Sequence, residues 1–420
     1  MTKASSFFLA LSTLTFLSVS SMAATPAKEE ESCTKLVQLI VKMSDADQKS
    51  HLQDTKYASV GKVSAQVVTD GNSGKELDIE FTTRGQSSIK APRKNFAFEV
   101  IDQDAKMVVG SAKGDKLLFT SMWQDLGYIS NKIGYQFMAL SGLAPHPVEY
   151  AELVINGVTN GLYLVTKKMK DIATKTLDSP LVIRRRYFGQ YEVAAFKAKN
   201  SPYTELQLSD RYRQMMDLVD ENRKYFGNSS EFHDALAKYL DLDQYYSWLA
   251  TNYLLRNGDY ADEVFFYAAA KGAKSLDDVK FKILPWDLDD LFKEKMHWQN
   301  FHPGNIAAVI QGKPTKDLIF NYESALDRAL MRNPYTKKMY HEKVRKMLAS
   351  ELSEASIKAT IEATRKQILP YLTPEILAAS AKDSINEGKA YTKEFILDLL
   401  NQREAELLAR RAEMIAALNK

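Results

Sequence analysis

The sequence predicts an α+β protein of two lobes, with a β-rich N-terminal lobe and a mainly helical C-terminal lobe. Short segments that mix apolar–polar alternation with β-branched residues occupy residues 35–168, separated by turns rich in Gly, Asp and Asn. Such segments are typical of β-strands. From Tyr203 onward, apolar residues recur at helical spacing around one predicted hairpin. Strands followed by helices favour an α+β fold, and a cleft between two lobes is a usual place for a ligand.

One helix interrupts the strands of the first half. It is predicted at Ile129–Leu140 and ends at a Ser-Gly pair. Residues 156–161 contain Asn-Gly twice between two apolar runs, which is a strong hairpin signal. The predicted strands are Leu36–Val41, Val63–Thr69, Leu77–Thr83, Asn95–Val100, Lys116–Thr120, Glu149–Ile155, Leu162–Thr166 and Leu181–Tyr187.

The second half is predicted to be helical except for a hairpin formed by Glu263–Ala269 and Val279–Leu284. The last helix is long and charged, with apolar residues at helical spacing, so it should pack one face on the body. The predicted helices are Leu208–Arg223, Glu231–Tyr239, Leu242–Leu255, Thr315–Met331, Tyr335–Ala349, Glu354–Leu369, Thr373–Asp383 and Thr392–Leu418.

Residues 1–23 have the pattern of a secretory signal peptide. Lys3 supplies a positive charge, Phe7–Val19 an apolar run, and residues 21–23 a small-x-small cleavage site. The alternative is a buried N-terminal helix. The interpretation as a signal peptide predicts a secreted or periplasmic protein, with a β-rich lobe at 34–168 and a mainly helical lobe at 169–420.

Composition excludes several classes of protein and site. The 56 Lys and Arg against 53 Asp and Glu give a net charge of +3, with both signs interspersed, so no nucleic-acid footprint is present. Cys33 is the only cysteine, which excludes an intrachain disulfide and a cysteine zinc site. After the predicted leader, no apolar run reaches transmembrane length. Walker, dinucleotide, HExxH and GxSxG motifs are absent from the sequence.

Three aspartates lie at the ends of predicted elements around the central hairpin. Asp259 follows a helix in a Gly-containing turn, whereas Asp287 and Asp289 follow a strand that should stop at Pro285. Residues two apart in extended backbone point the same way. If the hairpin folds back beside the helix, the three carboxylates form one acidic cluster that suits a hard cation bound to nucleotide phosphates. Taken alone, Asp259 is also explained by turn chemistry.

Four blocks of the sequence resemble the spore-coat protein CotH kinase family. The block Arg84-Gly85-Gln86-Ser87-Ser88, followed by Lys94, is similar to the family's RGNSS…KK. Residues 155–168 resemble NG…GLYLLTEK, and residues 257–267 resemble N-x-D…N-F-Y-L-Y. Residues 285–289, which read Pro-Trp-Asp-Leu-Asp, match PWDLD, the most specific block. Together the blocks cover residues 80 to 292.

The resemblance implies an atypical, two-lobed protein-kinase-like fold that transfers the γ-phosphoryl group of ATP to Ser or Thr hydroxyls of a secreted or envelope protein. The implied metal is Mg²⁺ or Mn²⁺. Asp259 takes the role of catalytic carboxylate, Asp287 that of principal metal ligand, and Asp289 assists. The residues expected near the nucleotide phosphates are Arg84, Gly85, Ser87, Ser88 and Lys94. Phosphoryl transfer depends on positioning and charge neutralisation, which these groups can supply.

Three positions depart from the family pattern. Val264 stands where the family has a metal-binding Asn, so Asp262 or Glu263 must replace that ligand or one metal site is lost. Residues 166–168 read Thr-Lys-Lys in place of Thr-Glu-Lys, and residues 130–131 read Ser-Asn in place of Arg-Asn. Two alternatives to a kinase therefore remain. One is a binding or assembly protein of the cell envelope without turnover, and the other is transfer of a nucleotidyl group.

Overall fold

A computed structural model describes residues 34–52, 60–85, 88–102, 104–185, 190–222, 230–260, 264–293, 317–320, 324–382 and 391–420. Both strands and helices are abundant, which confirms the α+β class. Residues 32–420 form one compact unit, and the division into lobes at residue 168 stays a prediction. The predicted signal peptide lies outside the described residues. Within the described ranges, no helix has the length and apolar character needed to cross a membrane.

A closed barrel forms the first part of the chain. Its strands follow the order β1-β2-β3-β4-β7-β9-β8, and β1 closes it by pairing in parallel with β8, with Gln38 opposite Glu152. The other pairs are antiparallel. The barrel strands are β1 Val37–Lys42, β2 Val60–Thr69, β3 Asn72–Arg84, β4 Asn95–Val100, β7 Lys116–Thr120, β8 Val148–Ile155 and β9 Val158–Lys167, and β5 Met107–Val109 and β6 Ala112–Gly114 form a separate two-stranded sheet. Sequence patterns predicted the barrel strands as part of a lobe, but not their closure into a barrel and not the pair β5–β6.

Aromatic side chains fill the barrel. Phe96 and Phe98 stack with ring centroids 5.2 Å apart, and Phe119 meets Phe98 edge-on at 5.1 Å. The predicted hairpin is present as β8 and β9, joined by a two-residue turn at Asn156 and Gly157. Both turn residues have positive φ, 51° and 78°, which matches the type I′ geometry that Asn-Gly favours.

A second sheet follows the barrel in the chain, with strand order β11-β10-β12-β13 and antiparallel pairs. Its strands are β10 Leu181–Arg185, β11 Tyr191–Phe196, β12 Val264–Ala269 and β13 Lys280–Leu284. The predicted central hairpin is therefore confirmed as β12–β13. Pro285 directly follows β13, as expected for a residue that cannot continue the hydrogen-bond ladder.

Helices and the second sheet share a large apolar core that includes Ile133, Phe137, Leu249 and Tyr340. Side-chain oxygens of Asp241, Ser324, Asn333, Ser353, Thr373 and Thr392 cap six helix N-termini, which stabilises backbone N–H groups that lack intrahelical partners. The helices are α1 Asp45–Leu52, α2 Ser130–Leu140, α3 Met169–Asp171, α4 Glu205–Asn222, α5 Glu231–Leu236, α6 Leu242–Leu255, α7 Ala325–Arg332, α8 Pro334–Ala349, α9 Glu354–Ile368, α10 Pro374–Ser380 and α11 Lys393–Leu418.

The predicted helix Thr315–Met331 is wrong in its first half. Residues 317–320 are not helical, and α7 begins only at Ala325. Leu318 has a φ of +57°, and its carbonyl accepts a hydrogen bond from the Tyr340 hydroxyl at 2.6 Å. A tertiary contact with α8 thus sets the backbone of this segment, and the local helical pattern does not.

Candidate active site

The turn after α6 carries Asp259. α6 ends where Arg256 adopts a left-handed conformation, with φ of 48°. Asn257 then fixes the turn, because its Nδ2 donates to Asn252 Oδ1 at 3.0 Å and its Oδ1 accepts the Asp259 backbone N–H at 3.1 Å. Asn252 and Asn257 are buried, whereas Asp259 is half-buried. The Asn-Gly-Asp sequence therefore holds one carboxylate at a defined place beside the end of α6.

The loop after β13 returns to the same place. The Gly258 N–H donates to the Asp290 carbonyl at 2.7 Å, and the Phe292 N–H donates to the Leu255 carbonyl at 2.9 Å. A Cβ at residue 258 would lie 2.1 Å from Asp290 Oδ2, so any larger residue there would displace the Asp290 carboxylate. The loop after β13 thus returns to the end of α6 and joins the two aspartate-bearing loops, which is the condition under which the sequence patterns predicted one acidic cluster.

The two loops bring carboxylates into mutual electrostatic range. Burial and the negative charges of Asp290, Asp125 and Asp259 together raise the pKa of Asp289 to about 7, against a hydrogen bond with the Asp287 side chain. A carboxyl with such a pKa is held where negative charge is poorly compensated. The structure therefore places Asp259, Asp287 and Asp289 in one acidic cluster, together with Asp125 and Asp290.

Asp125 connects the cluster to α2. Its carboxylate accepts the backbone N–H groups of Ser130 and Asn131, both at 2.9 Å, at the start of the helix. Burial raises the pKa of this carboxyl, and the hydrogen bonds from α2 oppose the rise. Asp290 contacts a cation, with Lys293 Nζ 3.0 Å from its Oδ1. One of the five carboxylates is therefore partly neutralised by a neighbouring lysine.

The donor set suits a divalent cation that shares its coordination with phosphate. Among the described residues, no three His, Cys, Asp or Glu side chains converge closely enough to hold a metal ion by themselves. Mg²⁺ is usually bound through one or two carboxylates plus substrate phosphates and water, and all-protein cages are the exception. The adjacent pair Asp287 and Asp289 meets that requirement. Asp262 and Glu263, the expected substitutes for the family's Asn, lie outside the described residues.

Val264 is confirmed as a residue that cannot serve as a ligand. It begins β12, is 5% exposed, and packs in the large apolar core opposite Arg185 of β10. Its side chain thus contributes to packing, so any second protein ligand for a metal must come from another position.

The predicted phosphate-binding segment lies at the end of β3. Gly85 has a φ of +110°, and a Cβ there would lie 1.8 Å from Ser88 Oγ, so the tight turn requires glycine. Ser88 is buried, and its Oγ accepts a hydrogen bond from Asn95 Nδ2 at 3.0 Å. Arg84 is half-buried at the strand end, whereas Ser87 lies outside the described residues. Gly85 and Ser88 therefore lie in close contact at the end of β3.

Lys94 donates hydrogen bonds to the backbone that follows Ser88. It is 3% exposed, and its Nζ donates to the carbonyls of Ile89 at 2.6 Å and Ala91 at 3.1 Å. The ammonium group of Lys94 thus stabilises the backbone of residues 88–91. The predicted role of Lys94 in holding phosphate stays a prediction, and the structure gives it a defined part in shaping the loop.

A cationic group that sequence analysis did not select lies at the end of β9. Burial lowers the pKa of Lys168, and the charges of Lys116, Lys170 and Arg84 lower it further, against Asp171. Several cations around one half-buried ammonium group favour a bound anion. The signal was present in the pair Lys167-Lys168 of the second block, whose first lysine sequence analysis treated only as the loss of a carboxylate.

Tyr135 and Asp125 are further site residues that periodicity alone could not identify. Tyr135 lies on α2 and is 6% exposed. Burial raises the pKa of its hydroxyl, as do the charges of Asp287 and Asp289. α2 approaches the loop closely because residue 134 is glycine, where a Cβ would lie 2.8 Å from Leu291 Cδ1. The helix that carries Tyr135 was predicted, but neither the burial of Tyr135 nor its neighbour across the fold was.

Comparison with known proteins agrees with this site. The family model described as CotH kinase protein matches residues 81–405, well over half of the chain. The inner spore coat protein H of Bacillus subtilis (strain 168) is 22% identical over 318 residues, which cover 72% of this chain and 81% of that protein. The family match includes both aspartate-bearing loops, the segment at the end of β3 and most of the C-terminal helices. The chain belongs to the CotH kinase family.

Proposed function

We propose that this protein is a secreted or periplasmic atypical protein kinase with a two-lobed kinase-like fold, which transfers the γ-phosphoryl group of ATP to Ser or Thr hydroxyls of an envelope or secreted protein. The observation that carries the proposal is the hydrogen-bonded junction of the Asp259 turn with the loop of Asp287 and Asp289. Membership of the CotH kinase family supports it. The name of the Bacillus relative refers to the spore coat, which agrees with an envelope protein as substrate.

Asp259 is the proposed proton acceptor. The hydroxyl oxygen of the substrate attacks the γ-phosphorus, the bond from that phosphorus to the β,γ-bridging oxygen breaks, and ADP leaves. The hydroxyl proton passes to the Asp259 carboxylate, which the Asn257 turn holds in place. A carboxylate in this position orients the nucleophile and removes its proton as the new bond forms.

Asp287 and Asp289 are the proposed ligands for Mg²⁺ or Mn²⁺. A bound divalent cation supplies charge neutralisation for the phosphate oxygens. Arg84, Lys168 and the backbone around Gly85 and Ser88 are the proposed phosphate-binding groups, since cations and backbone N–H groups bind anions. Ser87 and Lys94 remain candidates of the same phosphate site.

Phosphate transfer from radiolabelled ATP tests the proposal. The protein is incubated with Mn²⁺ and dephosphorylated casein, and incorporation is compared with that of Asp259→Asn. Asp104→Asn is the matched control, since Asp104 is an exposed residue of the barrel. We expect transfer by the unaltered protein and by the control, and loss of it in Asp259→Asn. Undiminished transfer by Asp259→Asn would contradict the assignment.

A binding or assembly protein of the cell envelope is the second candidate, favoured by the burial of Val264 where the family has a metal-binding Asn. That function requires neither ATP nor metal. It is therefore supported if the protein binds no nucleotide in the presence of any of the metals tested. Transfer of a nucleotidyl group is distinguished by the mass added to the target, which is that of a nucleotide and not of a phosphoryl group.

A further inference from the structure

Asp287 has a backbone conformation that needs an external support. Its φ is +52°, in the left-handed region, and it is not a glycine. This conformation is unfavourable for an L-residue because its Cβ crowds the following carbonyl oxygen, and aspartate tolerates it only somewhat better than most residues. A residue held in this way at a functional loop indicates that surrounding contacts determine it.

The support comes from Tyr135 of α2. A hydrogen bond with the Asp287 backbone lowers the pKa of the Tyr135 hydroxyl, against the larger rise that burial and the charges of Asp287 and Asp289 cause. Only a donor to the phenol oxygen favours the ionised form. The Asp287 N–H is therefore the donor and the Tyr135 oxygen the acceptor, and this bond fixes the backbone of the residue whose carboxylate faces the cluster.

His146 packs against the ring of Tyr135. The two rings stack with centroids 4.5 Å apart, and His146 lies 5.9 Å from the ring of Trp286, next to Asp287 in the chain. Neither ring nitrogen of His146 has a hydrogen-bond partner among the residues that the structure describes. Burial and, to a smaller extent, the charge of Lys167 lower the pKa of His146 to about 3. The imidazole is thus a neutral spacer between Tyr135 and Trp286.

We propose that Tyr135 is a positioning residue, whose hydroxyl holds Asp287 in the left-handed conformation that presents its carboxylate for metal binding. The inference rests on the proposed function, in which Asp287 is a metal ligand. α2 thus contacts the loop at two adjacent residues. The Tyr135 hydroxyl bonds to the Asp287 backbone, and the Tyr135 ring packs through His146 toward the ring of Trp286. Backbone N–H groups at the start of α2 also donate to the Asp125 carboxylate. One helix therefore orients Asp125 directly and Asp287 through Tyr135.

Mn²⁺ affinity, followed by electron paramagnetic resonance in the presence of ATP, tests the proposal directly. Tyr135→Phe keeps the ring and its stack but removes the hydroxyl. We expect Mn²⁺ to bind this variant about tenfold more weakly, the factor equivalent to one hydrogen bond of ordinary strength. Tyr340→Phe is the matched control, because it removes another buried hydroxyl that donates to a backbone carbonyl, that of Leu318.

Thermal unfolding separates positioning from general stability. Both tyrosine variants lose one buried hydrogen bond, so their melting temperatures should fall by similar amounts, whereas only Tyr135→Phe should lose Mn²⁺ affinity. His146→Phe keeps the stack and the hydroxyl, and its affinity should equal that of the unaltered protein. Unchanged affinity in Tyr135→Phe overturns the inference and leaves the proposed function intact, and equal loss in Tyr340→Phe overturns it as well. Absence of Mn²⁺ binding by the unaltered protein overturns the proposed metal site and the inference with it.

Discussion

Replacement of Asp289 by asparagine should stabilise the metal-free protein, although it removes a proposed ligand. In the folded chain, burial and the charges of Asp290, Asp125 and Asp259 raise the pKa of Asp289 from 3.8 to about 7. Above pH 7 the folded protein therefore carries an ionised Asp289 carboxylate in surroundings that disfavour its charge. A functional site that is electrostatically unfavourable without its ligand is a common source of lost stability.

The pKa difference sets the magnitude. One pKa unit corresponds to about 1.36 kcal/mol, so a shift of about three units sets an upper bound of about 4 kcal/mol above pH 7. Residue 289 is half-buried, so an asparagine there is also partly removed from water and part of the gain is lost. We expect Asp289→Asn to raise the free energy of unfolding by about 1–3 kcal/mol at pH 8.

The pH dependence follows from the sign of the shift. Between pH 4 and pH 7 the folded chain keeps the Asp289 proton that the unfolded chain has released, so the stability of the unaltered protein falls as the pH rises. Below pH 4 the carboxyl is protonated in both states and the penalty is absent. The advantage of Asp289→Asn should therefore be small near pH 4 and reach its full size above pH 7.

Urea unfolding in the presence of a chelator measures this advantage. The difference in unfolding free energy between Asp289→Asn and the unaltered protein is determined at pH 4.5 and pH 8, with Asp104→Asn as an exposed control. A difference that is the same at both pH values, or a loss of stability at pH 8, would refute the reasoning.

Two further predictions concern the framework around the site. Gly161→Ala should lower the free energy of unfolding in urea by about 2–4 kcal/mol, and Gly157→Ala by only about 1 kcal/mol. Both glycines have positive φ, but only a Cβ at residue 161 meets other atoms, which lie 2.6–3.0 Å away on Ser380. Equal losses would contradict this. Arg185→Met should lower the free energy of unfolding by about 3–5 kcal/mol, since it leaves the buried Asp327 carboxylate without its nearby cation. The double variant with Asp327→Leu should recover part of that loss, and strictly additive losses would argue against a coupled pair.

Local features of the chain were predictable where a residue determines its own surroundings. Asn156-Gly157 specified a tight hairpin because both residues tolerate positive φ. Pro285 ended β13 because it has no N–H to donate. The return of the aspartate loop to α6 followed from the same hairpin. These outcomes depend on a few neighbouring residues, so sequence patterns were sufficient.

Contacts between residues far apart in the chain were not predictable in the same way. Closure of the barrel depends on parallel pairing of β1 with β8, where Gln38 lies opposite Glu152, and no local pattern distinguishes a closing strand from an edge strand. Tyr135 lay within a predicted helix, but nothing in the local pattern pointed to Asp287, which lies on another element. Lys94 was expected near the nucleotide phosphates, but its ammonium group donates to the carbonyls of Ile89 and Ala91.

Calorimetric titration with ATP, with and without Mg²⁺ or Mn²⁺, tests the central claim most directly. The account predicts binding that requires the metal, is lost in Asp287→Ala and is retained in Asp104→Asn, because the Asp287 carboxylate joins the metal and the phosphates to the loop after β13. Equal binding by Asp287→Ala, or no binding of ATP by the unaltered protein in any metal, would contradict the claim that this cluster of carboxylates is a nucleotide–metal site.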